Sequence, residues 1–119
     1  MLRRFLPCLA LVLLLPSMAF GYDLTGQWEA SILGSRVTAE FTQNGQMFTG
    51  VMRVPEPGGK INVYHLAGAI FDAKFVALHG SGHVFEGVMT SKDEARGEFK
   101  IAGGPVLDVR LHRLGKAAN

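Results

Sequence analysis

The chain has 119 residues, which is enough for one small domain. It carries 12 Lys and Arg residues against 10 Asp and Glu residues, and neither sign forms a long run. This balance argues against an extended basic surface of the kind that binds nucleic acids or anionic membranes. The single cysteine, Cys8, has no second cysteine to pair with, so the domain must be stabilised by its hydrophobic core.

The N-terminal residues have the three-part pattern of a secretory signal peptide. Arg3 and Arg4 form a short basic start, residues 5–20 are almost wholly apolar, and the stretch ends in small residues. Cleavage is predicted after Gly21, with Ala19 as an alternative site. An uncleaved anchor helix is the other interpretation, but an apolar stretch of 16 residues is shorter than the roughly 20 that span a bilayer.

Cleavage of this signal peptide, residues 1–21, would leave 98 residues with ten charges of each sign and no cysteine. We therefore expect an exported protein, periplasmic or secreted, that is not held in a membrane after cleavage. The folded domain is predicted over residues 22–115, and a loose C-terminal tail over 116–119. The sequence leaves the oligomeric state open.

From Thr25 onward, apolar and polar residues alternate with a period of two, and turn residues interrupt them at intervals of about 8–15 residues. Eight strands are predicted, at 25–33, 36–43, 46–54, 60–71, 74–79, 83–90, 95–102 and 106–113. The strand at 60–71 is apolar on both faces, so its register is not set by the pattern. Asn44-Gly45 is a tight-hairpin signal, and the other connections are short. We therefore expect an all-β, antiparallel up-and-down meander that closes into a small barrel and leaves no free edge.

The first and last strands are expected to meet at one end of the barrel, which we call the bottom. Counting alternating strands places Arg113 beside Trp28, and a guanidinium over an indole ring is favourable by about 0.5–2 kcal/mol. Gly26 and Trp28 form a Gly-x-Trp start, and together with the terminal Arg113 they are similar to the signature of the calycin group: lipocalins, fatty-acid-binding proteins and avidins. The resemblance implies a barrel closed by Gly26, Trp28 and Arg113, with binding of a small apolar molecule as a corollary.

The opposite end, which we call the top, is expected to hold the mouth of any cavity because the Gly- and Pro-rich connections fall there. The predicted ligand-lining residues are Met52, Phe75, His79, His83, Phe85 and Met89. His79 and His83 flank a three-residue turn and should face each other at the mouth. Two imidazoles there could hold a transition metal or change charge near neutral pH, and His65 could join them in a favourable register. The simpler interpretation is a polar pair beside a glycine turn.

The sequence contains no recognisable catalytic motif. No serine sits in a Gly-x-Ser-x-Gly elbow, and Ser81, although near two histidines, lacks an orienting carboxylate. No phosphate loop or dinucleotide fingerprint is present. We therefore expect a non-enzymatic protein without a cofactor that binds a small apolar molecule at the top. The alternatives are a collapsed barrel that binds another exported protein, and a weak metal site at His79 and His83.

Overall fold

The computed structural model describes residues 21–115, which form a closed barrel of eight antiparallel strands. The strands are β1 (Gly26–Ile32), β2 (Ser35–Asn44), β3 (Met47–Pro55), β4 (Ile61–Phe71), β5 (Lys74–His79), β6 (Val84–Ser91), β7 (Glu94–Lys100) and β8 (Val106–Gly115). Each strand pairs with its neighbours in sequence, and β1 closes the barrel on β8. The predicted all-β meander and its closure are confirmed. The predicted signal peptide, apart from Gly21, and the predicted tail lie outside the described residues.

Every strand boundary lies within two residues of its predicted position. The structure also settles the register of β4: Leu66 and Ile70 are buried in the barrel, whereas His65 is exposed on the outside opposite Val51. The turns follow the expected chemistry, since Gly45 adopts a φ of 63° between β2 and β3. None of residues 21–115 belongs to an apolar helix of membrane-spanning length.

The barrel interior is one continuous apolar core. Alternate residues of the strands point inward, as a period of two requires. The buried core consists of Leu24, Trp28, Ala30, Val37, Ala39, Phe41, Phe48, Met52, Leu66, Ile70, Phe75, Ala77, Phe85, Met89, Ala95, Phe99, Val109 and Leu111. Within residues 21–115, no polar or charged residue is buried. Burial of each large side chain is favourable by about 1.5–3 kcal/mol, which lets the domain fold without a disulfide.

Glycines at inward-facing positions allow the wall to curve tightly around this core. A Cβ added to Gly50 would overlap the ring of Phe41, and one added to Gly87 would lie 2.7 Å from Cζ of Phe75. Glycine at such positions lets a strand bend and lets a neighbouring ring fill the vacated space. The glycines therefore make room for the aromatic core.

Trp28 and Arg113 lie together at the bottom of the barrel. Trp28 is 1% exposed, and its indole Nε1 donates a hydrogen bond to the carbonyl oxygen of Leu24 at 2.8 Å. The guanidinium carbon of Arg113 lies 4.4 Å from the centre of the indole ring. Arg113 also donates to four oxygen atoms: the carbonyls of Thr25, Asp23 (2.6 Å) and Lys92 (3.1 Å), and Oδ1 of Asp93 (3.0 Å). Gly26, with a φ of 140°, brings the chain into β1 beneath this contact. The bottom is thus sealed.

Candidate functional site

The barrel interior leaves almost no free space. A cavity of about 10 Å³ remains at its centre, bordered by Met52 and Phe85 among other apolar residues. That volume admits about one water molecule. Phe75 and Met89, also predicted to line a ligand, are 3% exposed and belong to the packed core. A larger molecule could enter only if core side chains moved.

Phenylalanine rings account for this filling. Phe41, Phe48, Phe75, Phe85 and Phe99 form a continuous file, with successive ring centroids 5.7, 6.4, 5.4 and 6.3 Å apart. These separations fall within the favourable range for aromatic pairs. The residues chosen from the sequence as a pocket lining therefore face inward, but they contact one another.

At the top, the β5–β6 turn places His79 and His83 face to face, with ring centroids 5.8 Å apart and planes inclined by 17°. Tyr64 of β4 packs edge-on against His79 at 5.1 Å, and Phe99 lies 5.7 Å from His83. All three rings of Tyr64, His79 and His83 are half-buried. They close the top of the aromatic file, and we call these three residues the top cluster.

The hydrogen bonds of the two histidines assign their tautomers. Nδ1 of His79 accepts the Ser81 N–H at 3.2 Å and lies 2.6 Å from Ser81 Oγ, and Nδ1 of His83 accepts the Ala102 N–H at 3.0 Å. A neutral ring that accepts at Nδ1 carries its proton on Nε2. A metal-binding imidazole directs a free lone pair at the metal, but in both histidines the Nδ1 lone pair already accepts a backbone N–H. Both rings therefore act as hydrogen-bond acceptors for backbone N–H groups of the neighbouring turns.

The other histidines do not complete a metal site. His65 follows Tyr64 in the chain but faces the outer side of the barrel wall, and His112 is exposed on β8. Within residues 21–115, no three His, Cys, Asp or Glu side chains are grouped closely enough to hold a metal ion. The Ser81–His79 contact lacks a carboxylate partner among the hydrogen bonds of the described residues, so it does not form a catalytic triad.

A feature that the sequence reasoning missed lies on the outside of β3–β6. Outward-facing residues there form what we call the apolar face: Met47, Val51, Val63, Ala67, Ala69, Phe71, Val76, Leu78, Val84 and Val88. Met47 is 62%, Phe71 60% and Leu78 57% exposed. At the centre of the face the apolar side chains are contiguous, because Met47 pairs with Ala69 and Ala69 pairs with Val76 across three strands. Toward β6, Lys74 lies between Phe71 and Val88, and Glu86 lies opposite Val76.

The apolar face is not flat. Ala67 and Ala69 form a low track along β4, and Val76 and Leu78 stand higher beside it on β5. We call the first the β4 trough and the second the β5 ridge. Two grooves of about 380 Å³ border the face, one over Gly50 on β3 and one over Gly87 on β6.

The remaining strands carry a charged outer surface. The charged face consists of outward residues of β1, β2, β7 and β8: Glu29, Arg36, Glu40, Glu94, Arg96, Glu98, Lys100, Asp108, Arg110 and His112. Arg36 pairs with Glu29 at 2.6 Å. At the border between the two faces, Lys100 donates to Glu86 at 2.5 Å, and this hydrogen bond and the charge of Glu86 raise the pKa of Lys100.

No protein-family model matches the chain, and no curated protein matches it. Among solved structures it is similar to one described as a de novo design of a fluorescence-activating beta barrel, with a TM-score of 0.57 and 17% sequence identity. The match covers 76% of this chain and 94% of that chain. At this identity the likeness shows the fold alone. Membership of the calycin group stays an expectation.

Proposed function

We propose that this protein is an exported, non-enzymatic binding module whose contact surface is the apolar face of β3–β6. The observation that carries the proposal is the contrast between a filled interior and a largely apolar exterior. The central cavity holds about 10 Å³, whereas six large side chains of the apolar face are 41–62% exposed. They are Met47, Val63, Phe71, Val76, Leu78 and Val88.

The physical cost of leaving such a face in water supports this function. The exposed side chains of the apolar face present on the order of 600 Å² of apolar surface, at the upper end of what soluble monomers expose. Covering apolar surface is favourable by roughly 25 cal/mol per Å² before the cost of association is subtracted. Interior packing does not require apolar residues at these outward positions, because the charged half of the barrel closes with mostly polar ones, apart from Val106 and Leu114 of β8. A binding role accounts for them.

A small apolar ligand at the top is the second candidate. The observation that favours it is the half-buried top cluster of Tyr64, His79 and His83, which stands at the end of the aromatic file. Binding there requires these rings to move apart. Native mass spectrometry of protein purified from its own host tests this candidate: a retained small molecule supports it, and the mass of the bare chain contradicts it.

The apolar-face proposal is tested with matched valine substitutions. Val76 lies in the apolar face, whereas Val106 is an exposed valine on β8 beside Lys100. At protein concentrations where sedimentation shows monomers, the apolar dye bis-ANS should bind the wild type, and Val76→Lys should weaken that binding several-fold. Val106→Lys should leave it unchanged. Equal dye binding by all three proteins, or an equal loss in both variants, would overturn the proposal.

A further inference from the structure

We propose that the occupant of the apolar face is a second copy of this chain, packed face to face about a two-fold axis. This inference rests on the proposed function of the apolar face and names its partner. Each β5 ridge, formed by Val76 and Leu78, packs into the β4 trough, formed by Ala67 and Ala69, of the other copy. Such an arrangement is isologous, because each ridge and trough is used once by each copy.

The relief of the face is suited to this reciprocal packing. The trough and the ridge are neighbours in register, since Ala67 pairs with Leu78 and Ala69 pairs with Val76. A two-fold rotation about an axis between β4 and β5 therefore brings the ridge of one copy over the trough of the other. Interdigitation of tall and short side chains is what close packing at an interface requires.

The size and composition of the face are in the range of a dimer interface. A standard interface buries about 800 Å² on each partner, and the apolar side chains of the face alone present on the order of 600 Å². Interfaces between identical subunits are more apolar than those of transient complexes between different proteins. The four residues at the centre of the face, Ala67, Ala69, Val76 and Leu78, carry no charge.

The charges at the border favour a second copy over an anionic membrane surface. Charged residues of both signs lie within and beside the face: the basic Arg53, Lys74, Arg96 and Lys100, and the acidic Glu40, Glu86 and Glu98. Membrane attraction of this kind requires an excess of basic residues. Four basic residues against three acidic ones leave an excess of only one basic residue, so two copies can approach with little net repulsion.

Sedimentation velocity over about 1–100 µM protein tests the dimer. The wild type should show a concentration-dependent monomer–dimer equilibrium. Val76→Lys should raise the dissociation constant at least tenfold, and Val106→Lys should leave it unchanged. Thermal unfolding of all three proteins, measured where each is monomeric, verifies that the variants are folded.

A charge-pairing experiment tests the ridge-in-trough geometry itself. Val76→Lys and Ala69→Glu should each be monomeric alone, and their mixture should form a heterodimer because the new charges meet across the two-fold. Failure of the mixture to associate would overturn this geometry. A wild type that stays monomeric at all concentrations, or a Val76→Lys variant that dimerises as the wild type does, would overturn the second copy as partner. In either case a dye-binding difference between Val76→Lys and Val106→Lys would leave the proposed function standing.

Discussion

Strands β3–β6 and strands β7, β8, β1 and β2 form two halves of one barrel wall, and the halves differ on the outside. On the inside both present buried apolar residues to the same core, with Phe75 in one half and Trp28 in the other. Outside, the first half carries the apolar face and the second carries the charged face. The comparison separates two requirements. Folding requires apolar residues at the inward positions of both halves. It does not determine the residue types at the outward positions, which can therefore serve another function.

The largest expected effects test whether the two halves are alike inside. Trp28→Ala and Phe75→Ala should each lower the free energy of unfolding by about 3–5 kcal/mol, because each leaves a cavity in the packed interior. Phe71→Ala, on the outside of β4, should change it by about 0.5 kcal/mol or less. Chemical denaturation monitored by circular dichroism gives all three values.

Two outcomes of these measurements would contradict the contrast between a packed inside and an exposed outside. A loss below about 1 kcal/mol for Trp28→Ala would contradict the sealed bottom, since an indole removed from the core cannot cost so little. A loss for Phe71→Ala as large as that for Phe75→Ala would mean that the outer face is already covered within the monomer.

The inside of the apolar half also depends on glycine, which gives the second prediction. Gly68 on β4 has no room for a side chain: an added Cβ would overlap the carbonyl oxygen of Val76 and lie 2.7 Å from Cα of Ala77. Gly68→Ala should therefore destabilise the fold by about 1–3 kcal/mol, since only backbone movement can relieve the overlap. Gly80→Ala is the matched control, because an added Cβ there meets nothing within 4 Å. Equal unfolding midpoints for the two variants would show that the β4–β5 pair can separate at no cost.

The inside of both halves could be predicted from the sequence. Alternation with a period of two placed Trp28, Phe75 and Phe85 inward, and strand counting placed Arg113 at the same end as Trp28. These inferences succeeded because side chains on a strand can point only to one face or the other. Whether the interior was hollow could not be predicted, because that depends on which rotamers the five phenylalanines of the file adopt together.

The outside of the apolar half was missed, although its signal was present. Residues 60–71 are apolar on both faces, which by itself leaves the register of β4 open. A strand that is buried on one side only should alternate, so apolar residues on both sides of β4 indicate a second contact surface. Contiguity with Met47, Val76 and Leu78 was not visible in the sequence, since it depends on the pairing register of three strands.

The smallest predicted effect concerns the border between the two halves, where Lys100 of the charged half meets Glu86 of β6. The hydrogen bond and the charge of Glu86 raise the pKa of Lys100 above its ordinary value of 10.5. A raised pKa of this kind contributes stability that is fully present below pH 10.5 and is lost as the pH rises through the pKa of the folded state.

Glu86→Gln should lower the pKa of Lys100 toward that ordinary value, because the amide carries no charge and is a weaker acceptor. Glu98→Gln should lower it less, since Glu98 acts on Lys100 through its charge alone and contributes the smaller effect. Titration of the Lys100 side-chain resonances by NMR separates the two variants. If Glu98→Gln shifted the titration as far as Glu86→Gln, Lys100 would sense the whole charged face, and the ion pair at the border would not be specific.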